Sequence, residues 1–212
     1  MSFTTTELAS RIGSRVHIDK ATLLSGKHAA ELRELTDLTN EIVLLAVDSG
    51  DDEAEQELDL AAVVDACVER WRRRVDRPVE LTHAGPRPAT VTGRARQLQR
   101  ALDNLLDNAT KFSPEGSSIE VTLDHRVDSV AGAMWRIAVR DHGPGVDEAD
   151  APHLFERFYR ATRDRSTPGS GLGLAIVDDI VRRHGGRVSV ANHPDGGAVF
   201  TAEIPAESPP AG

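Results

Sequence analysis

"DHGPG", residues 141–145, closes an apolar alternating stretch with an acid and then sets two glycines around a proline. Side chains alternate faces along a strand, so Trp135, Ile137, Val139 and Asp141 point the same way and the carboxylate prolongs a buried row. An ionised carboxylate only accepts hydrogen bonds, which suits it to recognise an amino group in an otherwise apolar slot. Gly143 and Gly145 carry no Cβ and would let a planar ring approach the backbone. Taken alone, the five residues read more readily as an Asx turn in which the glycines serve only chain reversal. The choice lies between a surface turn and one wall of a nucleotide pocket, and the rest of the chain has to make it.

Outward from that stretch, three alternating segments predict strands: Ile119, Val121 and Leu123; Trp135, Ile137 and Val139; and Val188 and Val190 with Ala198, Phe200, Ala202 and Ile204. "HPDGG" joins the last two as a hairpin turn. Short extended pieces are expected around Val79–Thr82 and Ala89–Thr92. Asp59 can cap a helix that buries Leu60, Val63, Val64, Cys67, Val68 and Trp71, with Arg72, Arg73 and Arg74 at its negative end. A second helix runs from about Arg94 to Lys111, and a third from Gly171 to His184, stopped by Gly185 and Gly186. Strands mixed with helices, several joined by hairpins, predict an α+β two-layer sandwich with helices on one face of a mixed sheet.

Upstream, Leu32, Leu35, Leu38, Ile42 and Leu45 form a stripe narrow enough to want a partner helix. The expected organisation is a helical segment over 1–47, an acidic linker over 48–57, a folded domain over 58–205 and a disordered tail over 206–212. A net charge of −9 argues against nucleic acid as a partner, because such binding draws on a basic surface. The lone Cys67 reads as a small buried hydrophobe in a reducing compartment, and no apolar run approaches the roughly 18 residues of a membrane span. A cytoplasmic location without direct membrane insertion is the expectation, as a free protein or as the cytoplasmic part of a membrane sensor.

Three further clusters carry possible chemistry. In "NLLDNATKF", 104–112, the core stripe is Leu98, Leu102, Leu105, Ala109 and Phe112, while Asn104, Asn108 and Lys111 align on a neighbouring face. An asparagine carbonyl with phosphate oxygens makes a reasonable magnesium shell, with Lys111 supplying charge; a polar helix face with a local cap fits as well. In "PGSGLGLAIV", 168–177, glycines run into a helix start, where bare N–H groups and the dipole favour an anion. No Lys-Ser/Thr pair follows, so this is not a P-loop, and the dinucleotide spacing is absent. Between them, "FERFYRATRDRSTPGS", 155–170, offers a lid bearing Arg157, Arg160, Arg163 and Arg165, or an arginine-rich surface loop.

In this order and spacing the four clusters resemble the asparagine, first glycine, phenylalanine and second glycine boxes of the sensor histidine kinase catalytic domain, of the GHKL ATPase superfamily, over about residues 58–205. The sequence looks especially like membrane-linked kinases of actinobacterial two-component systems. The resemblance implies ATP and magnesium as cofactors, with Asn108 on the metal and Asn104 and Lys111 beside the phosphates. It places Asp141 on the adenine amino group, with Gly143 and Gly145 shaping the adenine slot, Phe112 among the ATP-binding residues, and Arg157 and Tyr159 on the lid. Gly169, Ser170, Gly171, Leu172, Gly173 and Leu174 would pass along the phosphates. Asn108, Lys111 and Arg157 are the candidates for catalysis.

Two departures stand out. Arg94 follows Gly93 where members of that family usually carry an acid. The phosphoacceptor pattern, a histidine followed by an acid and then by Arg/Lys and a Ser/Thr/Asn-Pro pair, surrounds none of the eight histidines. His17, in "HIDKATL", is a partial match that keeps Lys20 and Leu23 but lacks the adjacent acid and the proline. The expectation is an ATP-dependent protein-histidine kinase module. Its partners would be a phosphoacceptor protein or dimer mate and a response regulator, with the acceptor histidine outside this chain. A non-catalytic ATP-binding regulatory module and an anti-sigma-type serine kinase are the alternatives.

Overall fold

The computed structural model describes residues 53–128, 132–161 and 169–206. The stripe at Leu32–Leu45, His17, Arg163, Arg165 and residues 207–212 lie outside them.

Strand β1 (Gln56–Asp59) leads directly into helix α1 (Leu60–Arg72). Asp59 caps that helix through Oδ1, which accepts the N–H of Ala61 at 3.0 Å and also that of Ala89 at 2.9 Å. The same carboxylate therefore starts α1 and ties it to β3 (Thr90–Gly93), the antiparallel partner of β1. Residues 56 and 57 thus belong to a strand, whereas their acidity assigned them to a linker. Their side chains stay exposed while their backbone pairs with Thr92 and Gly93, and composition reports only the side chains.

The main sheet has the order β2-β4-β5-β7-β6: β2 (Val79–Ala84), β4 (Ile119–Asp128), β5 (Gly132–Arg140), β7 (Ala198–Pro205) and β6 (Arg187–Asn192). β2 and β4 are parallel and the other three pairs, β4–β5, β5–β7 and β6–β7, are antiparallel. One face packs Val121, Leu123, Trp135, Ile137, Val139, Phe200, Ala202 and Ile204 against α1, α2 (Ala95–Phe112) and α3 (Gly173–Arg183). The other face is polar, and register makes a row of alternating charge across four strands, from Asp124 through Arg136 and Glu203 to Arg187. This is the mixed two-layer sandwich that the pattern predicts. In α1 the buried set is Leu60, Ala61, Val64, Cys67, Val68 and Trp71; Ala61 joins the expected stripe, and Val63 packs against the core only partly buried.

α2 lies between α1 and α3, and Asp103 locks it to α1. Its carboxylate accepts from Arg70 at 2.7 and 2.8 Å, from the Trp71 indole at 2.6 Å and from the Cys67 thiol at 3.3 Å. Burial, and then the Asp103 charge, push the Cys67 pKa far up, so the thiol stays protonated in the fold. A raised native pKa adds stability that is whole below the ordinary thiol range and is lost as pH climbs above it. Urea titrations at pH 8.5 and 10 should show the native chain losing about 1 kcal/mol more than Cys67→Ser, whose hydroxyl does not ionise there. Equal losses would remove the linkage.

Candidate nucleotide site

A cleft opens between the end of β5, one face of α2 and the start of α3. Asp141 lies at the end of the buried row on β5, only 3% exposed. Its Oδ1 accepts two backbone N–H groups, from Gly143 at 2.8 Å and Ala198 at 3.0 Å. Its own N–H donates to Ala198 O at 2.9 Å. Oδ2 makes no hydrogen bond among the described residues, and Asp141 lines the cleft beside the apolar Val146, Leu154, Ala198 and Phe200. A pinned carboxylate with one unengaged oxygen in an apolar slot can accept from one donor of a planar ligand.

Gly145 lines the cleft with φ +75°, and a Cβ there would come 2.7 Å from Asn192 Oδ1. Gly143 sits behind the cleft wall, where a Cβ would meet the Phe112 carbonyl oxygen at 2.6 Å. The Asx turn is present, closed by the Gly143 N–H on Asp141 Oδ1, and of the two glycines expected around the slot only Gly145 lines the cleft, because Gly143 packs against the Phe112 carbonyl.

α2 supplies the opposite side through Asn104, Asp107, Asn108, Lys111 and Phe112. The two asparagines differ. Asn104 Nδ2 donates to Arg100 O at 3.0 Å, and its Oδ1 lies 3.1 Å from where a Cβ on Gly173 would stand, so glycine lets α3 close on α2. Asn108 makes no side-chain hydrogen bond among the described residues, leaving its amide oxygen for a ligand. Asp107 is a charged member that sequence reasoning missed, as it missed the apolar lining of Val146, Leu154 and Phe200: its carboxylate holds Lys111 Nζ at 2.6 Å inside the cleft. The signal was its i, i+4 spacing to Lys111.

Gly169, Ser170, Gly171, Gly173 and Leu174 form the third side. α3 begins here without a side-chain cap, so its first N–H groups lack intrahelical partners. Leu172 points away into the core, 1% exposed, because the α3 stripe needs it there. Gly171 has φ +75°, and a Cβ would lie 2.6 Å from Tyr159 O; its carbonyl accepts the Phe158 N–H at 3.0 Å. Tyr159, Arg160 and Ala161 follow along the cleft, and the Tyr159 hydroxyl donates to Asp150 at 2.5 Å, which raises its pKa. Arg157 does not line the cleft; the backbone turns at Phe158, with φ +65°, and Arg160 lines it instead.

The start of α2 has no acid in its first turn and no side-chain cap from Arg94. Distant residues supply both. His184 Nε2 accepts the Arg94 N–H at 3.0 Å while Nδ1 donates to Ile180 O at 2.7 Å, which fixes a neutral tautomer. The Glu53 carboxylate accepts the Arg96 N–H at 3.1 and 3.2 Å, an anion at a helix N-terminus. A Cβ on Gly93 would stand 2.5 Å from His184 Cδ2, so the glycine admits the imidazole.

Residues 93–208, more than half of the chain, match the family of histidine kinase-, DNA gyrase B-, and HSP90-like ATPases. The chain belongs to that family. MprB of Mycolicibacterium paratuberculosis, a signal transduction histidine-protein kinase/phosphatase, is 39% identical over 191 residues, 86% of this chain and 35% of that protein. The solved mycobacterial sensor histidine kinase MprB superposes with a TM-score of 0.61 at 35% identity, covering 72% of this chain and 98% of the solved one. The ATP binding domain of PrrB from Mycobacterium tuberculosis gives a TM-score of 0.56 at 29% identity, covering 74% and 100%. The chain spans about a third of the length of the curated MprB relatives it matches. As a member of this ATPase family it has the GHKL two-layer fold, and among its described residues no helix is long and apolar enough to cross a membrane.

Proposed function

We propose that this chain is the ATP-binding catalytic module of a two-component protein-histidine kinase, passing the γ-phosphoryl of ATP to a histidine outside the chain. The observation that carries the reading is the convergence of Asp141, Asn108, Lys111 and the Gly169–Gly173 loop on one cleft. Asp141 accepts from the adenine amino group, while Val146, Leu154 and Phe200 exclude water around the ring. The N–H groups at the start of α3 receive phosphate oxygens, and Lys111 shifts from Asp107 toward the negative charge that ATP brings.

The residues fit magnesium. The amide oxygen of Asn108 is unengaged beside the phosphate end, and this ion takes oxygen ligands while keeping several waters. When bound, magnesium neutralises charge on phosphate oxygens. Arg160 adds to that neutralisation and is better placed than Arg157. An imidazole nitrogen of the acceptor takes the phosphoryl with its lone pair, the bond to the bridging oxygen breaks and ADP leaves; positioning and charge do the catalysis. The acceptor protein or dimer mate and a response regulator are the partners this requires.

Labelled ATP with magnesium tests it. The purified chain should bind ATP and, given a phosphoacceptor hairpin from a related kinase, produce an acid-labile phosphoprotein. Failure to bind ATP would end the proposal, and an acid-stable product would make the chain a serine kinase.

A further inference from the structure

The wall at Gly145–Val146 has no strand or helix of its own to hold it, since residues 141–150 contain neither. Backbone groups outside regular structure must still find partners. Val146 finds both in one side chain: Asn192 Oδ1 accepts its N–H at 2.7 Å, and Asn192 Nδ2 donates to its carbonyl at 2.8 Å. An N–H can only donate and a C=O only accept, so this pair also fixes which way the amide faces.

Asn192 is the last residue of β6, at the mouth of the hairpin turn 193–197. The other side of that turn holds Asp141. Ala198 N–H donates to Asp141 Oδ1 at 3.0 Å, and Gly197 passes so close that a Cβ would overlap the Asp141 carbonyl oxygen. Gly145 lets the Asn192 amide slide beneath it. One hairpin therefore grips both the acid and the wall, although none of its residues belongs to the four sequence clusters.

We infer that Asn192 is a positioning residue for the nucleoside end of the site, setting the distance between the Gly145–Val146 wall and Asp141. This rests on the reading of the cleft as an ATP site. Asn192→Ala leaves the Val146 N–H and C=O without their partner, and the wall is no longer held at a fixed separation from Asp141. Losing two hydrogen bonds that order the site weakens binding by roughly ten-fold. Because the change sits at the nucleoside end, ATP, ADP and adenosine lose affinity by the same factor, with or without magnesium. A residue that merely supports the fold would instead lower the melting temperature and leave these dissociation constants unchanged.

Isothermal titration of ATP, ADP and adenosine into the native chain and Asn192→Ala, beside their thermal melts, tests the inference. A common loss across the three ligands supports it. Unchanged affinities, or a loss confined to ATP, overturn it. Should Asn192→Ala not fold, Asn192→Ser, which cannot span both groups of Val146, takes its place with the same criteria. A native chain that binds neither ATP nor adenosine overturns the functional reading itself, whereas native binding matched by the variant overturns only the role of Asn192.

Discussion

Asp141→Asn is expected to fold as the native chain does and to bind ATP about a hundred-fold more weakly. The asparagine keeps an oxygen where Oδ1 accepts from Gly143 and Ala198, so the frame of the cleft survives. In place of Oδ2 it presents an NH₂ group, which would face the adenine amino group donor to donor. The loss is one hydrogen bond to a charged acceptor plus that mismatch, together about 3 kcal/mol. Adenosine should suffer the same factor, because the phosphates take no part. Asp141→Ala serves as the contrast: it also strips the acceptor from two backbone N–H groups and should lower the melting temperature. Titration calorimetry with melts on both variants reads the outcome, and native affinity in a folded Asp141→Asn would remove the adenine assignment.

The second large effect belongs to Asn108. Its side chain makes no hydrogen bond among the described residues, so Asn108→Ala should shift stability by less than about 1 kcal/mol. ATP affinity measured with excess chelator should stay near native, while the gain from adding magnesium should largely vanish. Phosphoryl transfer should fall at least about a hundred-fold, the order seen when one preorganised group at a developing charge is removed. Asn104→Ala gives the internal comparison, since that amide is already engaged with Arg100 O and packs on Gly173. If Asn108→Ala keeps the full magnesium effect and transfer rate, the metal assignment is lost.

Much of this site was legible because its signals are local. The helix bearing Asn104, Asn108 and Lys111 announces itself by a 3.6-residue stripe, and Leu98, Leu102, Leu105 and Ala109 are buried as that stripe requires, whereas Phe112, its last member, is half-buried on the cleft. The row Trp135, Ile137, Val139, Asp141 follows from strand alternation alone and is buried throughout. The resemblance to a kinase family rested on four such stretches in order, and the family match over residues 93–208 bears it out. Where the reading strayed, a local signal carried two meanings. Arg157 and Arg160 are equally basic in the sequence, but only a backbone turn at Phe158 decides that Arg160 lines the cleft. Leu172 lies among the glycines of the 169–173 loop yet answers to the hydrophobic period of α3.

The amino-acid sequence by itself determined the helices, the strands of the main sheet, most of the faces they bury and many of the side chains that line the cleft, since each depends on neighbours within a turn of helix or along one strand. Tertiary structure alone decided what holds those side chains in place. Arg94 and His184 are 90 positions apart, Glu53 and Arg96 are 43, and Asn192 and Val146 are 46. A helix start without its own acid cap reads as a flaw until the fold brings an imidazole and a carboxylate to its free N–H groups. A wall without a strand reads as loose until an asparagine from a distant hairpin pairs with it. Polar backbone must be satisfied in a folded protein, but nothing local says from where.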